Sequence, residues 1–369
     1  MISLLRLPFF ARESILHNME FDELLLLSLT SRRVYKVIRY LRMKQFDVFF
    51  EIRGNEGRPK SIFFKESEGE KKSLRLVFSY CCETKKSMEE GEETRDAEKI
   101  KIGRFERECR LTINPQTNTP LLHLPEPDLK FFGLELYNHV LDLFKIRRDE
   151  LIVVTSCQGL KYVPQLTQCK NFHLQEDATW IADGKELDAF LDYCRITNYA
   201  ELYPLINGKL KNFHKLMKID NLGLEWSKIQ KKPCLTEFRG RHLCLKRSEF
   251  GLEDVFQFLN FWIFNSDNSH NLHLESLVIT FFDEDFPAKN LLKRVDSHRW
   301  DPEQRPAYYE YRSTMKGCRE EYREIDLHNA HDIVRQSDGT LASFIVQNDF
   351  FGFYVWRKED LKEYSKNMS

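Results

Sequence analysis

The chain has 369 residues, of which 42% are hydrophobic and 31% are charged, and its net charge is −1 at pH 7. A near-neutral chain is a poor match for a general nucleic-acid binder, which needs a surplus of cationic side chains. The length allows two or three domains, and the apolar content is sufficient for a sizeable core. Phenylalanine occurs 29 times and glycine only 15 times, which suits strands and buried aromatic side chains better than a glycine-lined phosphate site.

The first residues of the chain do not have the pattern of a secretion signal or a membrane anchor. Arg6 interrupts the opening apolar run, Pro8 stiffens it, and Arg12 and Glu13 close it. A secretion signal needs an unbroken apolar core of about 7–15 residues, and a membrane-spanning helix needs about 20. We therefore expect no membrane partner and a location in the cytoplasm or the nucleus.

The nine cysteines support the same compartment. Their number is odd, and no two of them have the C-x-x-C spacing that is typical of zinc ligands. We expect reduced thiols and no metal site, as in an intracellular protein.

Three short helices are predicted within residues 1–45. The first covers residues 11–19, the second is the run "FDELLLLSL", and the third carries an apolar stripe from Val34 to Leu41 at helical spacing. Thr30 or Ser31 is the expected N-cap of the third helix. The segment has eight Lys/Arg and four Asp/Glu residues, which favours an acidic partner or a solvated helix face.

Strand patterns replace helical ones in residues 46–130. The runs "FDVFFEIRG", "KSIFFKES" and "SLRLVFSYC" alternate or are apolar over short spans, with turn residues between them. Residues 83–98 contain ten charged side chains and are expected to form an exposed loop. This segment is predicted to be rich in β-strands.

Residues 131–290 show alternating strand and helix patterns. A helix is predicted at 137–145 and another at 252–263, each followed by a strand-like run. The pairs His173-Leu174 and His242-Leu243 are 69 residues apart and form a weak internal echo. The pattern resembles leucine-rich-repeat organisation, although its period is far too long for a regular repeat.

Residues 291–369 are expected to end the chain with antiparallel strands and a charged tail. Asp338-Gly339 lies between two strand-like runs and predicts a hairpin, and "FFGFYVWRK" predicts a further strand. The predicted fold class is therefore α+β or α/β, with three N-terminal helices, a β-rich segment, a leucine-rich-repeat-like strand–helix domain and terminal antiparallel strands.

Residue types that carry chemistry occur, but not in convergent patterns. The acidic run "FFDEDF" is expected to be a solvated turn, and the two H-x-x-H spacings at His270/His273 and His328/His331 lack a third ligand nearby. Cys157 follows an apolar run and is expected at a strand end rather than as a nucleophile. "RPAYYEYR" at 305–312 suits either a recognition patch or buried loop aromatics. We expect no catalytic residue and no cofactor, and a hydrolase remains the less favoured alternative.

The first 45 residues, taken together, resemble an F-box. The resemblance is carried, in order, by "LRLP" at 5–8, "IL" at 15–16, "DELLLLSLTSRRV" at 22–34 and the stripe that ends at Leu41. It implies docking on the Skp-type adaptor of SCF ubiquitin ligases, and through the adaptor on a cullin. The apolar side chains exceed what three short helices can bury. The residues expected to contact the adaptor are Leu5, Leu7, Pro8, Ile15, Leu16, Leu24, Leu27, Leu29 and Val34.

The remainder of the chain resembles the F-box-associated type 2 domain. The matching stretches include "MKIDNLGLEW" at 217–226, "FRGRHLCL" at 238–245, "LEDVFQFLNFWI" at 252–263 and "LHLESLVITF" at 272–281. The resemblance covers about residues 130–356 and implies a role in holding a target protein, without indicating which one.

The sequence therefore predicts a non-catalytic substrate-recognition subunit of an SCF-type ubiquitin ligase. Its F-box would bind the adaptor, and its C-terminal domain would bind an unknown protein target, without nucleic acid or membrane. The alternative is an F-box scaffold that plays no part in ubiquitination.

Overall fold

The structure is a computed structural model. The residues it describes are 6–19, 21–41, 47–52, 60–65, 74–82, 98–113, 120–147, 151–176, 180–225, 231–264, 273–282, 285–313 and 324–368.

The chain forms two compact units. The N-terminal unit comprises residues 1–179 and 189–195, and the C-terminal unit comprises residues 180–188 and 196–369. The three N-terminal helices belong to the first unit. The boundaries of these two units differ from those of the four predicted segments, which are 1–45, 46–130, 131–290 and 291–369.

The N-terminal unit begins with three helices, as predicted, and contains a longer fourth one. The helices are α1 (Phe9–His17), α2 (Phe21–Thr30), α3 (Arg32–Tyr40) and α4 (Leu129–Phe144). The predicted helix at 137–145 is the second half of α4, which begins eight residues earlier. Ser31 is the N-cap of α3, and its hydroxyl accepts a hydrogen bond from the Val34 amide at 3.2 Å, which confirms the predicted cap.

A mixed sheet completes the N-terminal unit. Its strands are β1 (Asp47–Ile52), β2 (Lys60–Lys65), β3 (Leu74–Cys82), β4 (Glu98–Ile102), β5 (Phe105–Ile113), β6 (Pro120–Leu124), β7 (Ile152–Ser156) and β8 (Gln168–Gln175). Their order is β8-β7-β1-β2-β3-β6-β5-β4. The pairs β7–β8, β1–β7 and β3–β6 are parallel, and the other pairs are antiparallel. The three predicted strands of this region are confirmed, while the predicted loop at 83–98 lies outside the described residues except for Glu98.

The C-terminal unit also combines helices with a mixed sheet. Helix α5 (Gly184–Tyr193) begins in it, and its other helices are α6 (Phe213–Leu216), α7 (Lys231–Thr236), α8 (Leu252–Phe264), α9 (Ala288–Arg294) and α10 (Lys358–Met368). Its strands are β9 (Ile181–Asp183), β10 (Arg195–Leu202), β11 (Leu205–Asn207), β12 (Asn221–Leu224), β13 (His242–Ser248), β14 (Ser276–Phe281), β15 (His298–Arg299), β16 (Tyr308–Glu310), β17 (Glu324–Asp326), β18 (His331–Val334), β19 (Leu341–Val346) and β20 (Phe350–Val355).

Most strands of this unit pair first in parallel and then in antiparallel fashion. Strands β10, β12, β13 and β14 are parallel neighbours in that order. Strands β20, β19, β18 and β15 then continue the sheet in antiparallel pairs. Helices α7 and α8 connect the parallel strands, so the predicted strand–helix alternation and the antiparallel ending are confirmed. Gly339 has φ of 70° in the hairpin between β18 and β19, a conformation that glycine adopts without strain.

Aromatic side chains fill the cores of both units. In the N-terminal unit, the rings of Phe105 and Phe132 meet edge to face with centroids 5.0 Å apart. In the C-terminal unit, Phe258 and Trp262 of α8 pack edge to face on Phe353 of β20, at 5.2 and 5.1 Å. Such pairs stabilise a core beyond the area that they bury.

A fully buried ion pair fixes the C-terminal unit. Arg305 has 0% of its side chain exposed, and its Nε lies 2.8 Å from a carboxylate oxygen of Asp332. The same guanidinium donates to the carbonyls of Pro306 and Leu327, while the Ser343 hydroxyl donates to Asp332 at 2.6 Å. A buried charge pair is tolerated when its remaining hydrogen-bonding groups are satisfied in this way.

The cysteines follow the prediction only in part. Cys109, Cys157, Cys169, Cys194 and Cys234 are free and buried. Cys244, in contrast, is disulfide-bonded, and its partner is not among those five. The prediction of reduced thiols is therefore wrong for Cys244.

Candidate protein-docking surface

Helices α1, α2 and α3, with the residues just before α1, carry the side chains that the sequence predicts for docking. Pro8 is the N-cap of α1, with φ of −52°, and its carbonyl accepts a hydrogen bond from the Arg12 amide at 3.0 Å. Because the pyrrolidine ring restricts φ, Pro8 fixes the direction in which α1 begins. Ser31 fixes the start of α3 in the same local manner.

Part of the predicted adaptor-binding set faces the inside of the chain. Leu16 and Leu24 are fully buried, and Val34 is 7% exposed. These three side chains belong to the buried core. Their contact with another protein stays a prediction.

The other predicted residues retain surface. Pro8 is exposed and Ile15 is 44% exposed, while Leu7, Leu27 and Leu29 are half-buried. Leu5 lies outside the described residues.

The most exposed apolar side chains of these helices are aromatic. Phe10 and Tyr40 are each 80% exposed, and Phe9 is 52% exposed. The rings of Phe9 and Phe10 meet edge to face at 5.6 Å, and the Arg12 guanidinium lies 5.7 Å from the centre of the Phe9 ring. Sequence reasoning missed all three aromatic residues, although "FF" directly follows the Leu-Pro step and Tyr40 falls next to the apolar stripe of α3.

A groove between α1 and α3 connects Phe9 with Tyr40. It has a volume of about 260 Å³. We call it the α1–α3 groove, and its lining residues are Phe9, Arg12, Glu13, Leu16, Lys36, Val37, Tyr40 and Leu41. Its lining combines apolar and charged side chains, and aromatic residues and arginine, both present in it, are enriched in protein interfaces.

The charged residues that line the groove are two cations and one acid. Arg12 and Lys36 line it, Arg32 and Arg33 are exposed on the same helix as Lys36, and Glu13 is the acidic residue of the lining. A positive rim speeds association with an acidic partner.

Side chains of α4 hold α2 and α3 in place. The Ser28 hydroxyl donates to the Leu25 carbonyl at 2.6 Å, so it accepts from Nε2 of His139 on α4, which lies 2.7 Å away. The Tyr35 hydroxyl donates to the carboxylate of Asp142, and the Arg39 guanidinium lies 2.7 Å from that carboxylate. These contacts, which we call the α4 latch, order the helices before any partner binds.

Burial sets the protonation of the latch. It lowers the pKa of His139 to about 4, against a weaker opposing effect from the Asp142 carboxylate, so this imidazole is neutral at pH 7. Burial, followed by the hydrogen bond to Asp142, raises the pKa of Tyr35 above its usual value. Neither group titrates near neutral pH, and the latch therefore keeps the same hydrogen bonds in ordinary buffers.

Of the residues weighed for chemistry, His273 is exposed, and three others have identified neighbours or burial. Cys157 is buried at the end of β7, His328 Nδ1 lies 2.7 Å from Asp326, and the His331 ring stacks on Phe344. His270 lies outside the described residues. Within the described ranges, no group of three or more His, Cys, Asp and Glu side chains converges as metal ligands would.

The Tyr-rich run at 305–312 contains both a buried and an exposed tyrosine, so it matches neither a recognition patch nor buried loop aromatics throughout. Tyr309 is 3% exposed and belongs to the core, whereas Tyr308 is 53% exposed.

No helix in the described part of the chain combines the length and apolar character that crossing a bilayer requires. No model of a protein family, no curated protein and no solved structure matches this chain.

Proposed function

We propose that this protein is a non-catalytic substrate-recognition subunit of an SCF-type ubiquitin ligase. Helices α1–α3 would bind the Skp-type adaptor and, through it, a cullin, and the C-terminal unit would hold an unknown target protein. A cytoplasmic or nuclear location and a leucine-rich-repeat-like organisation of the strand–helix units are parts of the same proposal.

The observation that carries the proposal is the exposure of Phe9, Phe10 and Tyr40 beside the α1–α3 groove. Large aromatic side chains are seldom left in water without a reason, and clustered exposed apolar side chains mark protein-binding surfaces. Interfaces are enriched in aromatic residues and arginine, and both occur here. The ordered F-box-like motif in the same three helices is the basis for proposing a Skp-type adaptor as the partner.

The contacts that hold α2 and α3 in place before binding also support the proposal. A docking element that is already folded loses less conformational entropy on binding. The α4 latch fastens α2 and α3 by contacts at 2.7 Å from Ser28 to His139 and from Arg39 to Asp142, so the surface is organised in the free chain.

Such a receptor accelerates ubiquitin transfer by proximity. It holds a target lysine near the charged ubiquitin-conjugating enzyme and thereby raises its effective concentration. The ATP-dependent and thioester steps take place on other subunits, so this chain needs no catalytic group of its own.

The test is affinity purification of the full-length chain beside its Leu7→Ala/Pro8→Ala variant. We expect the adaptor and cullin to be present with the wild-type chain and lost from the variant, because both side chains retain surface at the start of α1. Undiminished recovery of the adaptor, or its absence from the wild-type sample, would refute the proposal. A matched control is Phe264→Ala/Phe282→Ala, which truncates side chains that are 57% and 52% exposed in the C-terminal unit and should leave adaptor recovery unchanged.

A second measurement separates the receptor from the scaffold. If the chain is a receptor, depletion of the adaptor should lengthen the lifetime of proteins that co-purify through the C-terminal unit. Unchanged lifetimes of these proteins would favour a scaffold.

A further inference from the structure

A cavity in the C-terminal unit is lined by an unusual number of arginines. Its volume is about 520 Å³, within the range of pockets that bind small ligands. We call it the arginine cavity, and its cationic side chains are Arg239, Arg241, Arg335, Arg357 and Lys358.

The fold brings these residues together at one edge of the sheet. Arg241 directly precedes β13, Glu275 precedes β14, and Arg357 lies between β20 and α10. The register pairs His242 with Ser276, and Ser276 with Tyr354, so the three positions lie at neighbouring strand ends. Residues that are far apart in sequence therefore share one wall of the cavity.

Two of the arginines share a single carboxylate. Arg241 Nε lies 2.5 Å from Glu275, and the Arg357 guanidinium bonds the other oxygen of the same group. Burial acts to raise the pKa of Glu275, but the hydrogen bonds from Arg357 and Arg241 lower it below its usual value. Glu275 is therefore ionised and orients both guanidiniums while neutralising only one charge, and each guanidinium has further N–H donors.

Two further cations are not committed to a carboxylate. Arg239 and Lys358 are exposed, and neither forms an ion pair with another residue that the structure describes. Arg335 differs, because Asp338 accepts two of its hydrogen bonds at 2.9 Å. The acidic side chains of the lining other than Glu275 are Asp220 and Glu359, both exposed.

We propose that the arginine cavity binds a phosphate monoester. Oriented guanidiniums match the planar, bidentate recognition of phosphate oxygens, and the two uncommitted cations supply the charge that a dianion needs. The volume leaves room for the group to which the phosphate is attached, either a phosphorylated residue of a polypeptide or a phosphorylated small molecule. The proposal does not depend on adaptor binding, which concerns the N-terminal helices.

The test is calorimetric titration of the full-length chain with two probes. One is inorganic phosphate, and the other is a blocked five-residue peptide, Ala-Gly-phosphoserine-Gly-Ala, measured beside its serine and glutamate forms. We expect the phosphopeptide to bind at least tenfold more tightly than the serine form. Tighter binding of the phosphopeptide than of phosphate indicates a polypeptide source, and equal binding of the two indicates a small molecule.

Two charge variants with matched controls locate the binding. Arg239→Gln/Lys358→Gln should weaken phosphopeptide binding at least tenfold, whereas Lys289→Gln/Arg299→Gln, which removes one lysine and one arginine exposed outside the lining, should change it less than twofold. Asp220→Asn/Glu359→Gln should tighten binding severalfold, and Asp296→Asn/Glu303→Gln should not. The proposal would be overturned if neither inorganic phosphate nor the phosphopeptide binds. It would also be overturned if Arg239→Gln/Lys358→Gln and its control lose the same phosphopeptide affinity. All altered side chains are exposed, so unchanged thermal unfolding should accompany each result.

Discussion

Aromatic side chains have opposite environments at the two ends of this chain. In the C-terminal unit, Phe258 and Trp262 are about 2% exposed and pack edge to face on Phe353. On α1 and α3, Phe10 and Tyr40 are 80% exposed. The same residue type therefore stabilises the core at α8 and β20, and leaves its ring surface open to another protein on α1 and α3.

Truncation of a phenylalanine to alanine should change the free energy of unfolding very differently in the two environments, and this is the largest effect we expect. Phe258→Ala removes a buried ring and should lower the free energy of unfolding by about 3–5 kcal/mol. Phe10→Ala removes a ring that contacts mainly water and should leave stability nearly unchanged. Urea unfolding of both variants measures this difference, and a comparable loss in Phe10→Ala would show that its ring has an intramolecular role.

The buried ion pair should respond to truncation very differently from an exposed pair of the same unit. Asp332→Ala should lower the free energy of unfolding by about 3–5 kcal/mol, because Arg305 keeps a buried charge without its partner. The matched control is Glu253→Ala, which breaks the exposed pair with Arg294 and should cause no measurable change. If Asp332→Ala is as stable as the control, the network does not support the C-terminal core.

The free energy of unfolding should depend on pH because each of the two regions contains a buried histidine. The pKa values of His139 and His242 are lowered to about 4, chiefly by burial, whereas an unfolded histidine titrates near 6.5. Between these values the unfolded state binds more protons, so stability is complete above pH 6.5 and declines as the pH falls toward 4. We expect each histidine to contribute a loss of about 2 kcal/mol between pH 7.5 and pH 4.5, measured by urea unfolding. His139→Gln should reduce the pH slope, and an unchanged slope would contradict the assignment.

Removal of one hydrogen bond of the α4 latch should cause the smallest loss of stability among these variants. Ser28→Ala removes the group that accepts from His139 and should cost about 1 kcal/mol of stability. Thr30→Ala is its control, since that hydroxyl bonds only the Leu27 carbonyl within its own helix and is exposed. Hydrogen exchange of the α2 amides should accelerate in Ser28→Ala and not in Thr30→Ala; equal rates would contradict the latch.

Local signals in the sequence were sufficient for the elements and for some of their ends. The apolar stripe and Ser31 located α3, and Asp338-Gly339 located a hairpin, because helical periodicity, capping and turn preferences act over a few residues. The strands β1, β2 and β3 were found for the same reason.

Contacts between distant residues left no such signal. Ser28 meets His139 across 111 positions, and Arg305 finds Asp332 across 27, because the tertiary fold alone brings them together. For the docking surface, the motif resemblance directed attention to leucines, and Leu16, Leu24 and Val34 proved to be buried. The exposed rings of Phe9, Phe10 and Tyr40 required the orientation of the helices.

The most direct test of the proposed function is the affinity of the full-length chain for a purified Skp-type adaptor. We expect specific binding that Phe10→Ala/Tyr40→Ala weakens at least thirtyfold, about 2 kcal/mol, while Phe264→Ala/Phe282→Ala changes it less than twofold. Absence of binding by the wild-type chain, or equal affinities in the two double variants, would contradict it.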